Sequence, residues 1–133
     1  MAFQYAVKFV CGSTGSGILA RGRYFTAINV HNPRDEEPIH FYKKFALVGE
    51  EPEQQGKVTE WFDAYLDPDH ALEIDCRDIF DHTNAITGAP FRTGFVVIRS
   101  DEFELDVVAV YTVEGLFGRV KSLDVERVPP REV

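Results

Sequence analysis

The side chains of this chain that could do chemistry are four histidines, two cysteines and a run of aspartates. His31 and His40 flank the turn from Asn32 to Pro38, which also contains three acidic residues. Two imidazoles that face each other across a turn can bind a divalent metal if a carboxylate joins them. Because surface histidines beside turns are common, we expect no bound metal or cofactor, and His31 and His40 stay candidates only.

A second set of candidates lies between residues 63 and 82, where six aspartates and two histidines occur. A calcium loop needs oxygen ligands at fixed spacing around a central glycine, and the Asp67-Pro68-Asp69 segment has no such glycine. Asp78 and His82 are therefore candidates without a matching motif. A metal-dependent enzyme that uses these histidines and aspartates is the alternative function.

Cys11 and Cys76 are too few for a disulfide scaffold, and each falls near the end of a predicted strand. We expect both to be reduced, half-buried thiols. A catalytic thiol at position 76 is disfavoured, because the neighbouring carboxylates of Asp75 and Asp78 would raise its pKa and suppress the thiolate. The sequence thus predicts no catalytic residue.

Four aromatic side chains form a candidate binding platform, namely Trp61, Phe62 and Tyr65 together with Phe80. Exposed aromatic rings bind sugars or partner proteins by stacking and by losing water. The spacing of apolar residues from 58 to 66 favours an amphipathic helix. The same segment also alternates as a strand would, at Phe62, Ala64 and Leu66, so both structures stay open.

Composition excludes some partners. The net charge of −8, with no cluster of lysine and arginine, argues against nucleic acid. No apolar run approaches the roughly 20 residues that span a bilayer. The N-terminus shows no signal peptide pattern, so we expect a cytoplasmic protein that does not bind membranes.

The segment FRTGFVVIRSDEFELDVVAVYT, from Phe91 to Thr112, predicts two strands joined in a hairpin by a turn at Asp101-Glu102. Alternation at two-residue spacing marks the second strand as pleated. Apolar side chains also occupy the other face of this hairpin, at Val96, Ile98, Val108 and Val110. If both faces are apolar, a second subunit must cover one of them, which predicts a homo-oligomer with these four residues at its interface.

Short strands recur about every ten residues and are separated by turn-forming sequences. Alternation places Tyr5, Val7, Phe9 and Cys11 on one face of a first strand, and directs His40 and Tyr42 outward from a strand over Ile39 to Val48. This pattern predicts an all-β domain over residues 1–133, an antiparallel β-sandwich of jelly-roll or Ig-like type with about seven strands and at most one short helix. A parallel sheet would need alternating helices, and the sequence offers a single candidate. Residues 77–90 are expected to form a long irregular crossing.

The order of these features resembles small bacterial β-sandwich proteins such as the sensory rhodopsin transducer group. The similarity lies in the turn within NVHNPRDEEP, the turn LDPDH, the short strand ALEIDC and the apolar hairpin that follows. It implies a jelly-roll-like sandwich, often assembled into a cyclic oligomer, with a binding or adaptor role. We therefore expect a non-enzymatic, homo-oligomeric module that binds a protein or a small molecule, with a structural subunit of a shell or fibre as a further alternative.

Overall fold

The computed structural model describes residues 1–14, 19–49, 54–115 and 118–133. Over these ranges the chain forms nine strands and one short helix, which confirms the all-β class. In chain order the elements are β1 (Phe3–Thr14), β2 (Gly22–His31), β3 (Ile39–Leu47), β4 (Phe62–Leu66), β5 (Ala71–Asp75), α1 (Cys76–Thr83), β6 (Phe91–Ser100), β7 (Asp106–Glu114), β8 (Val120–Arg127) and β9 (Arg131–Glu132).

The strands form one antiparallel sheet in the order β4-β3-β6-β1-β2-β7-β8, and β5 and β9 pair with β2 and β1. This sheet curls into a half-barrel, so two clearly separate sheets, as expected for a sandwich, are not seen. The curl centres on β1, which pairs with β6 from Phe3 to Gly12 but with β2 only from Gly12 to Thr14.

The core fills the inside of the curl. In β1 the predicted alternation is confirmed, because Tyr5, Val7, Phe9 and Cys11 are fully buried. Side chains on β2, β3, β6 and β7 meet them there, and Ile79 of α1 joins the same cluster. In a pleated strand successive side chains point to opposite faces, so each strand also has an outer face.

The predicted hairpin from Phe91 to Thr112 is wrong, although both of its strands form. β6 pairs with β1 and β3, whereas β7 pairs with β2 and β8. Residues 101–105 therefore carry the chain from one half of the sheet to the other, and the faces of the two strands are independent. Val96 and Ile98 are fully buried in the subunit's own core, so they are not interface residues. Val108 and Val110 lie half-buried on the outer face.

The helix favoured for residues 58–66 does not form: Phe62–Leu66 is strand β4, and Val58 makes only an isolated bridge to Ala46. β4 pairs with β3, which places Phe62 opposite Lys43 and Leu66 opposite Ile39. The helix lies later, at α1, where an irregular crossing was expected. Its first turn is closed by a capping box, in which the backbone N–H of Asp78 donates to the Asp75 carboxylate and the backbone N–H of Asp75 donates to the Asp78 carboxylate, each at 3.1 Å.

The two cysteines are joined in a disulfide, which contradicts the expectation of reduced thiols. Cys11 in β1 and Cys76 at the start of α1 have Cα atoms 5.6 Å apart. The bond closes a loop across 65 residues, which in the chain-entropy model stabilises the fold by about 4 kcal/mol. Stable disulfides are typical of oxidising compartments, so the cysteines do not support the expected cytoplasmic location. Within the described ranges, no helix is long and apolar enough to cross a membrane.

Candidate functional site

The outer face of β3 and β4 carries a line of aromatic side chains. Residues directly opposite each other in an antiparallel pair share a face, and His40 lies opposite Tyr65. Tyr42 lies opposite Asp63 in β4 and opposite Arg99 in β6. The side chains at 40, 42 and 65 thus point away from the core.

These rings pack against one another. The His40 and Tyr65 rings are stacked with centroids 4.3 Å apart and planes at 6°. Tyr42 contacts His40 at 4.6 Å on one side and Trp61 at 6.5 Å on the other. We call these four residues, Trp61, Tyr42, His40 and Tyr65, the aromatic row. Tyr65 is 68% exposed and Trp61 39% exposed, so solvent reaches both ends of the row.

Basic side chains border the aromatic row. The Lys44 ammonium lies 4.4 Å from the centre of the Trp61 ring, a cation–π contact. Lys8 lies over Phe95 at 5.2 Å on the same outer face, and burial lowers the pKa of Lys8. Although the protein is acidic overall, this face presents stacked rings beside cations.

Two shallow clefts adjoin Tyr42. One of about 300 Å³ is lined by Tyr42, Trp61, Arg99 and Asp101. The other, about 230 Å³, includes Pro38 and His40 together with Tyr42 and Asp101. Arg99 and Asp101 are ion-paired at 3.0 Å, which fixes the wall of the first cleft. Adjacent clefts that share one ring suit an elongated ligand with two small groups.

His40 has an unsatisfied ring nitrogen at this site. Its Nε2 is buried and has no hydrogen-bond partner among the described residues. The carboxylate of Asp63 lies 3.6 Å away, beyond hydrogen-bond distance. A buried polar atom without a partner is destabilising, and a ligand group or a water would satisfy this nitrogen.

The four residues of the predicted platform are divided by the fold. Trp61 and Tyr65 lie on the outer face, in the aromatic row. Phe62 points inward and contacts Phe45 and His82, with centroids at 6.2 and 4.6 Å. Phe80 lies on α1, where the guanidinium of Arg92 covers its ring at 4.3 Å. The sequence missed the contribution of Tyr42 and His40, although alternation already placed both on the outer face of β3.

The four metal candidates are not brought together. His40 belongs to the aromatic row, and Asp78 is part of the capping box of α1. The Nδ1–H of His82 donates to the backbone carbonyl of Asp78 at 2.7 Å. In the part of the chain that the structure describes, no group of three or more histidine, cysteine or acidic side chains could hold a metal.

His31 lies between two carboxylates that the sequence did not single out. Its Nδ1 contacts Asp106 at 2.8 Å and its Nε2 contacts Asp69 at 2.9 Å. Both hydrogen bonds favour the imidazolium, so Asp106 first and Asp69 second raise the pKa of His31 above 6.5. Asp69 adopts a left-handed backbone conformation, with φ of 59°, in the turn that delivers its carboxylate. This group ties the β4–β5 turn to β2 and β7.

A second solvent-facing surface lies on β2, β7 and β8. The pairing places Val110 opposite Val125, and Thr112 opposite both Phe25 and Leu123. Leu123 is 66% exposed and Val125 59% exposed, and every residue of β8 is exposed. We call Phe25, Val110, Leu123 and Val125 the β8 patch. Of the four predicted interface residues, only Val108 and Val110 lie on this face.

A deeper cleft of about 450 Å³ opens where β1 and β5 diverge along the same edge of β2. Its walls include Cys76 at the start of α1, the aromatic residues Tyr24, Phe25 and Phe80, and the basic residues Arg23 and Arg77. We call it the fork cleft. Thr26 spans the fork, since its hydroxyl donates to the carbonyl of Val10 and accepts from the N–H of Val10, each at 2.9 Å.

Comparison with known proteins yields one match of fold. No protein-family model matches this chain, and no curated protein matches it. A crystal structure described as Thermotoga maritima 1070 superposes with a TM-score of 0.54 over 96% of this chain and 91% of that chain, at 10% sequence identity. At this identity the similarity extends to the fold alone.

Proposed function

We propose that this chain is a non-enzymatic binding module, in which the aromatic row binds an extended segment of a partner protein. The observation that carries the proposal is the row itself. Four aromatic rings pack in series on an outer sheet face, and the rings at its two ends are exposed. Trp61 and Tyr65 lie outside the buried cluster of the described residues, so core packing does not account for large aromatic side chains at these two positions.

The geometry favours a proline-containing segment. Proline-rich segments adopt an extended left-handed helix and dock between aromatic rings, with little loss of conformational entropy. The two clefts beside Tyr42 are each small and shallow, and Trp61 and His40 form their other aromatic walls. Lys44 at the border would pair with an acidic residue that flanks the prolines.

Fluorescence of Trp61, the single tryptophan, tests this proposal directly. The protein is titrated with a decaproline peptide and, in parallel, with a cello-oligosaccharide as a stacking ligand of another class. We expect a saturable change with the peptide, and Tyr42→Ala and Tyr65→Ala should each weaken it at least about fivefold, as a loss of about 1 kcal/mol requires. Val48→Ala, a truncation of an exposed side chain outside the aromatic row, is the control.

Two results would overturn the proposal. A response to the oligosaccharide alone would assign the aromatic row to sugars. The second result has two parts: decaproline gives no response, and the wild type retains no more peptide from a proline-rich peptide library than Tyr42→Ala does. Together these would leave the aromatic row without a binding role.

We further propose that the module is a homo-oligomer whose subunits meet through the β8 patch. β8 is the last strand of the described sheet order, and all of its residues are exposed, so none of the described elements packs over either face. A strand held only by one neighbour, with no packed face, is marginally stable. A second copy would cover Leu123 and Val125, in line with the assembly that resemblance to the sensory rhodopsin transducer group implies.

The apolar side chains of the patch contribute part of the free energy that such a contact needs. Full burial of a leucine or valine contributes about 1.5–3 kcal/mol, and about two-thirds of that remains available at these exposures. Two side chains on each of two subunits would then contribute about 4–8 kcal/mol. Replacing both Leu123 and Val125 by aspartate should therefore produce a monomer.

Size-exclusion chromatography with light scattering measures this outcome. The matched control is Ser122→Asp, which adds a charge to the opposite face of the same strand. A wild type that runs as a monomer of 15.1 kDa would remove the assembly proposal. It would leave the peptide-binding proposal intact, because the aromatic row lies on another part of the sheet.

A further inference from the structure

The Cys11–Cys76 disulfide lies at the fork, and its two ends have different surroundings. Cys11 is a residue of β1, and its side chain is fully buried on the core side of that strand. Cys76 is half-buried and lines the fork cleft. A small molecule that enters the cleft therefore meets Cys76 and cannot reach Cys11. This asymmetry is what directed thiol–disulfide exchange requires, because one sulfur must be attacked and the other must leave.

Access directs the first attack to Cys76, although the buried Cys11 is the poorer leaving thiolate. Charge on the Cys76 sulfur matters in the second step of exchange, when Cys76 is released as a thiolate. The carbonyl oxygens of Thr26 and Val10, at 3.7 and 3.9 Å, oppose that charge, and the following contacts favour it. The backbone N–H of Thr26 donates to Cys76 Sγ at 3.1 Å. Cys76 is also the first residue of α1, where unpaired backbone N–H groups and the helix dipole stabilise an anion. The opposing carboxylates, Asp75 and Asp78, accept hydrogen bonds from backbone N–H groups in the capping box, which offsets part of their charge.

The walls of the fork cleft define the kind of molecule that fits. Arg23 and Arg77 both line it, and neither forms an ion pair within the described ranges. Arg23 also lies over the ring of Phe25 at 5.2 Å. Asp75 also lines the cleft, so two guanidinium groups stand against one carboxylate, and that carboxylate accepts a hydrogen bond from a backbone N–H in the capping box. The balance favours an anion, while the aromatic walls accept its apolar part.

We propose that the fork cleft binds a small anionic thiol and that the Cys11–Cys76 disulfide exchanges with it. The thiol, as its thiolate, attacks Cys76 Sγ. The bond between Cys76 and Cys11 breaks, a mixed disulfide forms on Cys76, and Cys11 leaves as a thiolate that takes up a proton. A second thiol attacks the sulfur of the bound molecule, so that its disulfide leaves and Cys76 is released. Two thiols are oxidised by two electrons in total, and the protein disulfide is reduced to two thiols.

The proposal goes beyond partner binding by the aromatic row and does not depend on it. Phe25 and Val110 belong to both the fork cleft and the β8 patch, so the exchange is measured on the variant with aspartate at positions 123 and 125 as well as on the wild type. The exchange is stoichiometric, because one protein disulfide oxidises two thiols, and it is consistent with a module that is not an enzyme. The reduced state would free Cys76 and α1 from β1, with Thr26 as the remaining side-chain bridge across the fork.

The test compares reduced glutathione, an anionic thiol, with cysteamine, a cationic thiol, at equal thiolate concentration. Reduction of the disulfide is followed by alkylation and mass spectrometry. We expect glutathione to react faster, and the double change of Arg23 and Arg77 to alanine should slow glutathione about tenfold while leaving cysteamine unchanged or faster. Arg21→Ala, which removes an exposed arginine outside the cleft walls, should have no effect.

A separate experiment tests which of the two cysteine sulfurs is attacked. In a Cys11→Ser variant, oxidised glutathione should form one mixed disulfide on Cys76, and in Cys76→Ser the remaining Cys11 should stay unmodified in the folded protein. The proposal would be overturned if the rate with glutathione divided by the rate with cysteamine were the same in the wild type and in the double arginine variant. It would also be overturned by modification of Cys11 before Cys76, or by a disulfide that glutathione reduces only after denaturation.

Discussion

Replacing Tyr5 by phenylalanine should destabilise the protein by about 2–4 kcal/mol. Tyr5 is fully buried in β1, and its hydroxyl donates to the carbonyl of Leu105 at 2.9 Å and accepts from the N–H of Leu105 at 2.7 Å. Leu105 is only 4% exposed, so water cannot replace the hydroxyl. The change leaves one buried donor and one buried acceptor unpaired, at about 1–2 kcal/mol each.

Urea denaturation, followed by far-UV circular dichroism and by Trp61 fluorescence, measures this loss as a lower midpoint at an unchanged slope. Wild type and variant are compared at one protein concentration, because assembly would add to apparent stability. Tyr111→Phe is the control, since its half-buried hydroxyl makes a single bond, to the carbonyl of Lys8 at 2.7 Å. A loss below about 0.5 kcal/mol for Tyr5→Phe, or one no larger than that for Tyr111→Phe, would refute the reasoning.

Three further predictions follow from buried or paired polar groups. The pKa of His31 is raised in the folded protein, so its ion pairs stabilise the fold fully below pH 6.5 and are lost as the pH rises through the pKa of the folded state. The difference in melting temperature between wild type and His31→Gln should therefore shrink from pH 6 to pH 9. A difference that stays constant would contradict this prediction. Asn32→Asp should lower the free energy of unfolding, measured by urea denaturation, by about 3 kcal/mol or more. The fully buried Asn32 amide donates to three backbone carbonyls, which would then face a carboxylate. A loss no larger than that of Asn32→Ala would argue against charge repulsion. Arg92→Leu should lower the free energy of unfolding by about 2–4 kcal/mol in the same urea measurement. The buried guanidinium donates to the carbonyls of Phe80 and Ala89 and to the hydroxyl of Thr83, and these hydrogen bonds would be lost. An unchanged urea midpoint would show that α1 does not depend on Arg92.

Part of the candidate site followed from alternation alone. Period-two spacing placed His40 and Tyr42 on the outer face of β3, and Val108 and Val110 on the outer face of β7, as the structure has them. It also placed Tyr5, Val7 and Phe9 on one face of β1, and the structure buries that face in the core. These are properties of a single strand, so they need no knowledge of which strand lies alongside.

Other assignments failed because they depend on pairing between distant strands. Val96 and Ile98 were given the same face as Val108 and Val110 on the assumption that β6 and β7 form a hairpin. The chain instead crosses to the other half of the sheet, so the two strands have independent faces. Residues 58–66 fit both a helix and a strand by spacing, and only their pairing with β3 decides for a strand.

The sequence by itself determined the β class, the strand faces and the presence of exposed aromatic residues, because each of these depends on side chains a few positions apart. Only the tertiary structure decided that Cys11 meets Cys76 and that His31 lies between Asp69 and Asp106. It also decided that Trp61 and Tyr65 join His40 and Tyr42, while Phe62 turns inward and Phe80 lines the fork cleft. These contacts join residues that are up to 75 positions apart. They are fixed by how the sheet curls and forks, which local spacing does not encode.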